Sequence, residues 1–129
     1  MQETIVLLVE DNAAIRDIFA TVLSNDGYTV VQAADGEDGI RLARSIAPRL
    51  ILMNVSLPLV DGWKATAILK QDPTTRDIPV VAVTAFTRSR DRQRARSLGC
   101  ASYLPKPCEP SRLLEEVRRL IGAPARRAG

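Results

Sequence analysis

The chain has 129 residues, 46% of them hydrophobic, and a formal net charge of +3. This size and composition fit one domain with a single core and argue against two domains. Its apolar runs are far shorter than the roughly 20 residues of a membrane helix, the start of the chain lacks a signal-peptide pattern, and the charge is too mild to indicate nucleic-acid binding. We therefore expect a cytoplasmic protein with no membrane segment.

The first third of the chain predicts a strand, a helix and a second strand. The first strand runs from Ile5 to Val9 and is followed by the acidic pair Glu10 and Asp11. The helix begins after Asp11 or Asn12, either of which is a good N-cap, and ends at Gly27. The second strand covers Tyr28 to Gln32. Apolar residues at helical spacing are predicted to face the core: Ile15, Ile18, Phe19, Val22 and Leu23.

The middle of the chain continues the alternation. A second helix is predicted from Gly36 to Ile46, with Ile40, Leu42 and Ala43 facing inward, and a central strand from Leu50 to Met53 ends at Asn54. The loop 55–62 is punctuated by proline and glycine. It leads into a helix from Gly62 to Gln71, for which Asp61 is the expected N-cap and on whose surface Trp63 is expected to be partly buried.

The last third predicts two more strand and helix pairs. Pro79 to Val83 forms the fourth strand, with Thr84 at its end, and an arginine-rich helix follows to Leu98, where Gly99 ends it. A short strand from Ala101 to Leu104 precedes Lys106, which lies between two prolines. The last helix begins at Glu109 or Ser111, with Leu113, Leu114, Val117, Leu120 and Ile121 inward. Residues 1–122 thus form the domain, and 123–129 form a short basic tail that we expect to be disordered.

Five alternating strand and helix units predict an α/β fold, with a doubly wound five-stranded parallel sheet between two layers of helices. In such a sheet the carboxyl ends of the strands lie along one edge. The side chains that follow four of these strands are therefore expected to meet in one crevice. They offer two acids, an amide, a hydroxyl and an amine: Glu10, Asp11, Asn54, Thr84 and Lys106.

This pattern resembles the receiver domain of bacterial response regulators, and the resemblance extends from Ile5 to about Ile121. It implies a flavodoxin-like fold in which Glu10 and Asp11 bind Mg²⁺. Thr84 and Lys106 then contact a phosphoryl group, and Tyr103 is the switch aromatic. The resemblance also implies a cis bond between Lys106 and Pro107.

Asn54 stands where this family has its phosphoacceptor aspartate. An amide nitrogen is a poor nucleophile, so we expect no phosphorylation at this position. The amide oxygen can still ligate Mg²⁺, but binding should weaken because one negative charge is missing. An engineered replacement and a natural receiver that lost its acceptor are both compatible with the sequence.

The resemblance implies a signalling receiver in a two-component phosphorelay and not a conventional enzyme, although intact members catalyse their own phosphorylation and dephosphorylation. Its upstream partner would be a histidine kinase or a histidine phosphotransfer protein. This chain contains no histidine, so any phosphoryl donor must be another molecule. Its output surface would be the fourth helix, fifth strand and fifth helix.

Three alternatives remain open. One is an interaction module that works without phosphorylation, a pseudo-receiver. The others are a flavin-binding protein and an aspartate-nucleophile phosphatase of the same architecture. The pair Glu10 and Asp11 would repel a flavin phosphate, and the first strand lacks the DxDxT-like pattern of the phosphatases.

Five arginines lie between Arg88 and Arg96. The simplest interpretation is an exposed helix, the next is docking to an acidic protein surface, and nucleic acid is the least favoured. The two cysteines, Cys100 and Cys108, have no metal-binding spacing, and the lack of histidine argues against a zinc site.

Overall fold

The computed structural model describes residues 3–57, 60–85 and 88–125. Strands and helices alternate along these ranges. The strands are β1 (Ile5–Val9), β2 (Thr29–Ala33), β3 (Leu50–Asn54), β4 (Val80–Thr84) and β5 (Ser102–Pro105). The helices are α1 (Ala13–Asp26), α2 (Gly36–Ile46), α3 (Gly62–Gln71), α4 (Ser89–Leu98) and α5 (Pro110–Ile121).

All five strands are parallel and form one sheet in the order β2-β1-β3-β4-β5. This arrangement confirms the predicted doubly wound fold. The chain changes direction across the sheet between β1 and β3, and the open crevice of such a sheet lies at that point, beyond the carboxyl ends of the strands.

The core has two halves, one on each face of the sheet. Alternate residues of the central strands point to opposite faces, so a continuous apolar strand such as β3 serves both halves. The first half is covered by α1 and α5, through residues such as Phe19 and Leu113. The second is covered by α2 and α3, through residues such as Ile40 and Leu69.

Two predicted helix starts are confirmed by their caps. The Asn12 side chain accepts a hydrogen bond from the backbone N–H of Ile15 at 3.0 Å, and Asp61 accepts one from Lys64 at 2.8 Å. Gly27 ends α1 with φ at 110°, a left-handed conformation that glycine adopts without strain. These helix ends could be predicted from the sequence because each depends on residues only a few positions apart.

Two expectations about burial need correction. Ile18 is 52% exposed and does not face the core, because Phe19 and Leu23 fill the inward face of α1 and Ile18 is turned away from it. Trp63 is only 5% exposed, more buried than predicted, because it packs with Val55, Ala82 and Ala95 beneath α4. The strands β2, β4 and β5 also begin and end one residue later than predicted.

The end of the chain was expected to be disordered from residue 123. Residues 123–125 are described, and the backbone N–H of Ala125 donates to the Thr4 hydroxyl at 2.9 Å. Residues 126–129, and Pro58 and Leu59 of the predicted loop, lie outside the described residues. In the part of the chain that is described, no helix is long and apolar enough to cross a membrane.

Candidate functional site

The carboxyl edge of the sheet brings together the side chains that follow separate strands. Glu10 comes directly after β1, Asn54 is the last residue of β3, and Lys106 comes directly after β5. The amine of Lys106 lies 2.8 Å from Asn54 Oδ1 and 3.5 Å from Glu10 Oε1. The Lys106–Pro107 bond is cis, as the resemblance implies. The Asn54 amide thus contacts two residues that are distant along the chain. Lys106 is 52 positions away from it and Glu10 is 44.

Glu10 is the buried acid of the crevice, with 2% of its surface exposed. Its Oε2 accepts a hydrogen bond from the backbone N–H of Asn12 at 3.1 Å, at the start of α1. Burial raises the pKa of Glu10 above its usual value, while the Asn12 N–H and the Lys106 charge act in the opposite direction. A buried carboxylate thus depends on these donors to remain charged.

Asn54 forms the floor of the crevice and is 3% exposed. Its Nδ2 donates to Glu10 Oε2 at 2.9 Å and to Asp11 Oδ1 at 3.0 Å. Its Oδ1 accepts from Lys106 Nζ at 2.8 Å and from the backbone N–H of Ser56 at 3.2 Å. Acceptors surround the nitrogen and donors surround the oxygen, so this network fixes the orientation of the amide.

The acid pair has the chemistry of a site for a hard cation. Glu10 and Asp11 offer carboxylate oxygens, which Mg²⁺ prefers, and Asp11 is exposed to solvent. The third group facing them is the amide nitrogen of Asn54, which cannot ligate a metal. Accordingly, the described residues include no group of three acids, cysteines or histidines arranged to hold one. The acids fit Mg²⁺, and Asn54 fits only after its amide turns over.

Thr84 ends β4 inside the molecule and is fully buried. Its carbonyl oxygen accepts a hydrogen bond from the backbone N–H of Lys106 at 2.8 Å, which ties the end of β4 to the lysine. Thr84 thus lies directly beside the strand end that carries the amine.

Tyr103 lies on β5 and is half-buried. Its hydroxyl is buried without a hydrogen-bond partner among the described residues, and burial raises its pKa. The Arg92 guanidinium lies 5.8 Å from the centre of its ring. A buried, unpaired hydroxyl is costly, so this ring position is poorly stabilised.

Two contributors to the site were not predicted from the sequence. Arg16 donates to the Glu10 carbonyl oxygen at 2.8 Å and to Gln32 Oε1 at 3.2 Å, joining α1 to the ends of β1 and β2. Gly62 packs so closely on the end of β3 that an added Cβ would lie 2.3 Å from the Asn54 carbonyl oxygen. The position of Arg16, one helical turn after Asn12, was the available signal for the first.

Comparison with known proteins places these features in context. The response regulator receiver domain profile matches residues 6–118. The chain is 38% identical over 117 residues to the polar-differentiation response regulator DivK of Brucella anthropi, covering 91% of this chain and 95% of that protein.

Solved structures give the same picture. The chemotaxis protein CheY4 of Vibrio cholerae superposes with a TM-score of 0.87 at 26% identity, covering 92% of this chain and 99% of that one. The receiver domain of a sensor histidine kinase from Pseudomonas aeruginosa has a TM-score of 0.84 at 33% identity, covering 95% and 100%. That structure has a magnesium ion coordinated in its active site cleft.

Proposed function

This chain belongs to the response regulator receiver domain family, and on that premise we propose that it is a receiver that cannot be phosphorylated at Asn54 and signals by binding. The receiver occupies residues 1–122, with 123–129 as a tail, and it acts in the cytoplasm. Its upstream partner is a histidine kinase or a histidine phosphotransfer protein. Its output is the binding of another protein and not the conversion of a substrate into a product.

The position of the Asn54 amide is the observation that carries this proposal. An acceptor in this place needs a charged oxygen that attacks the incoming phosphorus. The oxygen of Asn54 is neutral and already accepts hydrogen bonds from Lys106 and Ser56. Its nitrogen donates hydrogen bonds to both acids. The lone pair of an amide nitrogen is delocalised into its own carbonyl group, so it is not available to attack. Neither atom of the group can accept a phosphoryl group.

Glu10 and Asp11 are the residues that would hold Mg²⁺, with Asn54 contributing an oxygen once its amide has turned. The ion would neutralise charge on the oxygens of a phosphate group. Turning the amide would direct its nitrogen at the Lys106 amine and the Ser56 N–H, two donors with which it forms no hydrogen bond. We therefore expect Mg²⁺ binding to be weaker than with aspartate at this position.

In this proposal, the phosphate-contacting and switch residues are Lys106, Thr84 and Tyr103. Lys106 neutralises charge in the crevice, and Thr84 is joined to its backbone. The Tyr103 hydroxyl has no hydrogen-bond partner among the described residues, and this supports a second position for its ring. The output face then consists of α4, β5 and α5, to which Tyr103 belongs.

An apolar groove beside the crevice supports contact with an upstream protein. The groove has a volume of about 460 Å³, and its lining includes Ile18, Phe19 and Pro107 together with Lys106. Ile18 is a large exposed apolar side chain. A protein that reaches the crevice from the side of α1 would cover this groove.

Incubation with acetyl phosphate and Mg²⁺, followed by intact mass measurement, tests the proposal. We expect no phosphate adduct on the natural chain and a hydroxylamine-sensitive adduct on Asn54→Asp. Lys106→Ala in the Asn54→Asp background is the control, because it removes the phosphate contact and should slow adduct formation. An adduct on the natural chain would refute the proposal, and peptide mapping would then identify the acceptor, with Ser56 the first hydroxyl to examine.

The second candidate is a phosphorylation-independent interaction module, whose output surface responds neither to Mg²⁺ nor to a phosphate group. The closed hydrogen-bond network of Asn54 favours it. If beryllofluoride and Mg²⁺ leave the backbone amide spectrum of the natural chain unchanged, the output surface is set without either ligand. Changes at Thr84 and Tyr103 would instead mean that the switch still responds.

A further inference from the structure

Five arginines, from Arg88 at the start of α4 to Arg96, are exposed. None of them forms an ion pair with any residue that the structure describes. Asp91, the acid among them, accepts a hydrogen bond from the backbone N–H of Arg88. By contrast, exposed arginines on α2 and α5 all have carboxylate partners: Arg41 with Asp38, Arg44 with Asp72, Arg112 and Arg119 with Glu116, and Arg118 with Asp26.

Fold stability does not explain why this helix carries so many arginines. Within α4, Ala95 is the fully buried residue, so the helix contributes little to the core. Arginines four positions apart, such as Arg92 and Arg96, repel each other on a helix. The charges are therefore retained at some cost to α4 itself.

Two of the arginines lie over aromatic rings. Arg92 lies over Tyr103 at 5.8 Å, and Arg94 lies over Trp63 at 5.1 Å. Trp63 belongs to the same buried cluster as Ala95, and Tyr103 packs against that cluster. Cation–π contacts of this kind restrict a guanidinium group without neutralising it. A partner that binds these groups loses less side-chain entropy than it would with free arginines.

A groove of about 340 Å³ lies on the surface between α4 and β5. Arg92 and Arg96 line it on one side and Tyr103 and Pro105 on the other, with Ala95 and Cys100 among the remaining lining residues. It thus combines two guanidinium groups with small apolar surface. Carboxylates can pair with guanidinium groups through two hydrogen bonds at once.

We propose that α4 and its groove with β5 bind an acidic segment of a partner protein, whose carboxylates pair with Arg92 and Arg96. This inference rests on the proposed function and specifies the chemistry of its output partner. A protein segment fits better than nucleic acid, because α4 spans only about 15 Å and the neighbouring crevice is lined by Glu10 and Asp11. Nucleic acid needs a broader basic surface along its backbone.

Fluorescence anisotropy with a labelled probe tests the proposal. The probe is a synthetic peptide as long as α4 with glutamate at every fourth position and alanine and leucine between. Its lysine counterpart and a DNA duplex serve as comparison probes. The variants are Arg92→Glu with Arg96→Glu, and the matched control Arg49→Glu with Arg76→Glu. The control pair is exposed and unpaired within the described residues, does not line the groove, and changes the net charge equally.

We expect the glutamate peptide to bind the natural chain and to lose at least about tenfold in affinity in the α4 variant, with less than about a twofold change in the control. Equal losses in both variants, or tighter binding of the DNA duplex, would overturn the proposal. Circular dichroism establishes that both variants fold. The acetyl phosphate experiment does not involve these arginines, so an adduct on the natural chain would overturn the proposed function while leaving this result intact.

Discussion

Replacing Asn54 by aspartate changes the charge at the floor of the crevice with almost no change in shape. The nitrogen that donates to Glu10 and Asp11, at 2.9 and 3.0 Å, becomes an oxygen that repels both. The other oxygen stays 2.8 Å from the Lys106 amine, which then faces a charged carboxylate in place of a neutral amide. Two repulsions and one attraction thus replace a network in which every contact is favourable.

The distances set the size of the effect. Unit charges about 3 Å apart interact by roughly 5–6 kcal/mol at an effective dielectric constant near 20, so the balance is a net repulsion of about 5 kcal/mol. Water entry and proton uptake by one of the acids relieve most of this repulsion. We expect the free energy of unfolding without metal to fall by about 2 kcal/mol, which lowers Tm by about 8 °C for a domain of this size.

Thermal unfolding followed by circular dichroism, in EDTA and at one fixed Mg²⁺ concentration for all variants, measures both parts of this prediction. Metal at one hundred times its Kd stabilises a protein by about 2.7 kcal/mol, so Mg²⁺ should more than restore Asn54→Asp and raise the natural chain less. The control is Asp11→Asn in the Asn54→Asp background, which removes one repelling acid and one metal ligand. Its Tm in EDTA should recover, and its response to Mg²⁺ should shrink.

Equal Mg²⁺ shifts in the natural chain and Asn54→Asp would refute this reasoning. So would an Asn54→Asp variant that is as stable as the natural chain without metal. Either result would mean that the acid pair does not sense the charge at position 54.

Three further predictions concern residues around the crevice and the edge of the sheet. Gly62→Ala should lower the free energy of unfolding by about 2–3 kcal/mol in urea titrations, because the new Cβ meets the Asn54 carbonyl oxygen at 2.3 Å; an unchanged midpoint would contradict the close approach. Lys106→Met should destabilise the fold by about 1.5–3 kcal/mol near neutral pH, because Glu10 and Asn54 lose a charged donor. Burial raises the pKa of Glu10, so the folded state favours its neutral form as the pH falls. Neutral Glu10 no longer attracts Lys106, so the difference in the free energy of unfolding between Lys106→Met and the natural chain should shrink on acidification. Hydrogen bonds from Thr74 and Arg44 hold the pKa of Asp72 at about 2, against a usual 3.8. Its contribution is therefore present above the usual value and lost as pH falls towards 2, so the Tm difference between the natural chain and Asp72→Asn should disappear across that interval, and a constant difference would contradict it.

The parts of the site that follow from strand ends could be predicted from sequence. Apolar runs that stop at Glu10, Asn54 and Thr84 locate these residues at one edge of a parallel sheet, since the sheet leaves no other place for them. Helix caps such as Asp61 were also predictable, because a cap depends on three or four adjacent residues.

The orientation of the Asn54 amide could not be predicted in this way. Whether nitrogen or oxygen faces the acids depends on Lys106 and on the Ser56 N–H, which reach the amide from other segments. The burial of Trp63 was underestimated for a similar reason, because α4 covers it and nothing in its own helix indicates that cover. Ile18 shows the converse, since its helical spacing matched the core pattern while its neighbours filled the available space.

Trp63 is the chain's single tryptophan, and its position makes it a natural optical reporter. Its indole packs against Val55, the residue after Asn54, and carries the Arg94 guanidinium on its face. Its emission therefore responds to events on two sides, the crevice floor and the arginine helix. Titrating one side while following this single chromophore measures, without any label, how far a disturbance at the floor travels towards the helix.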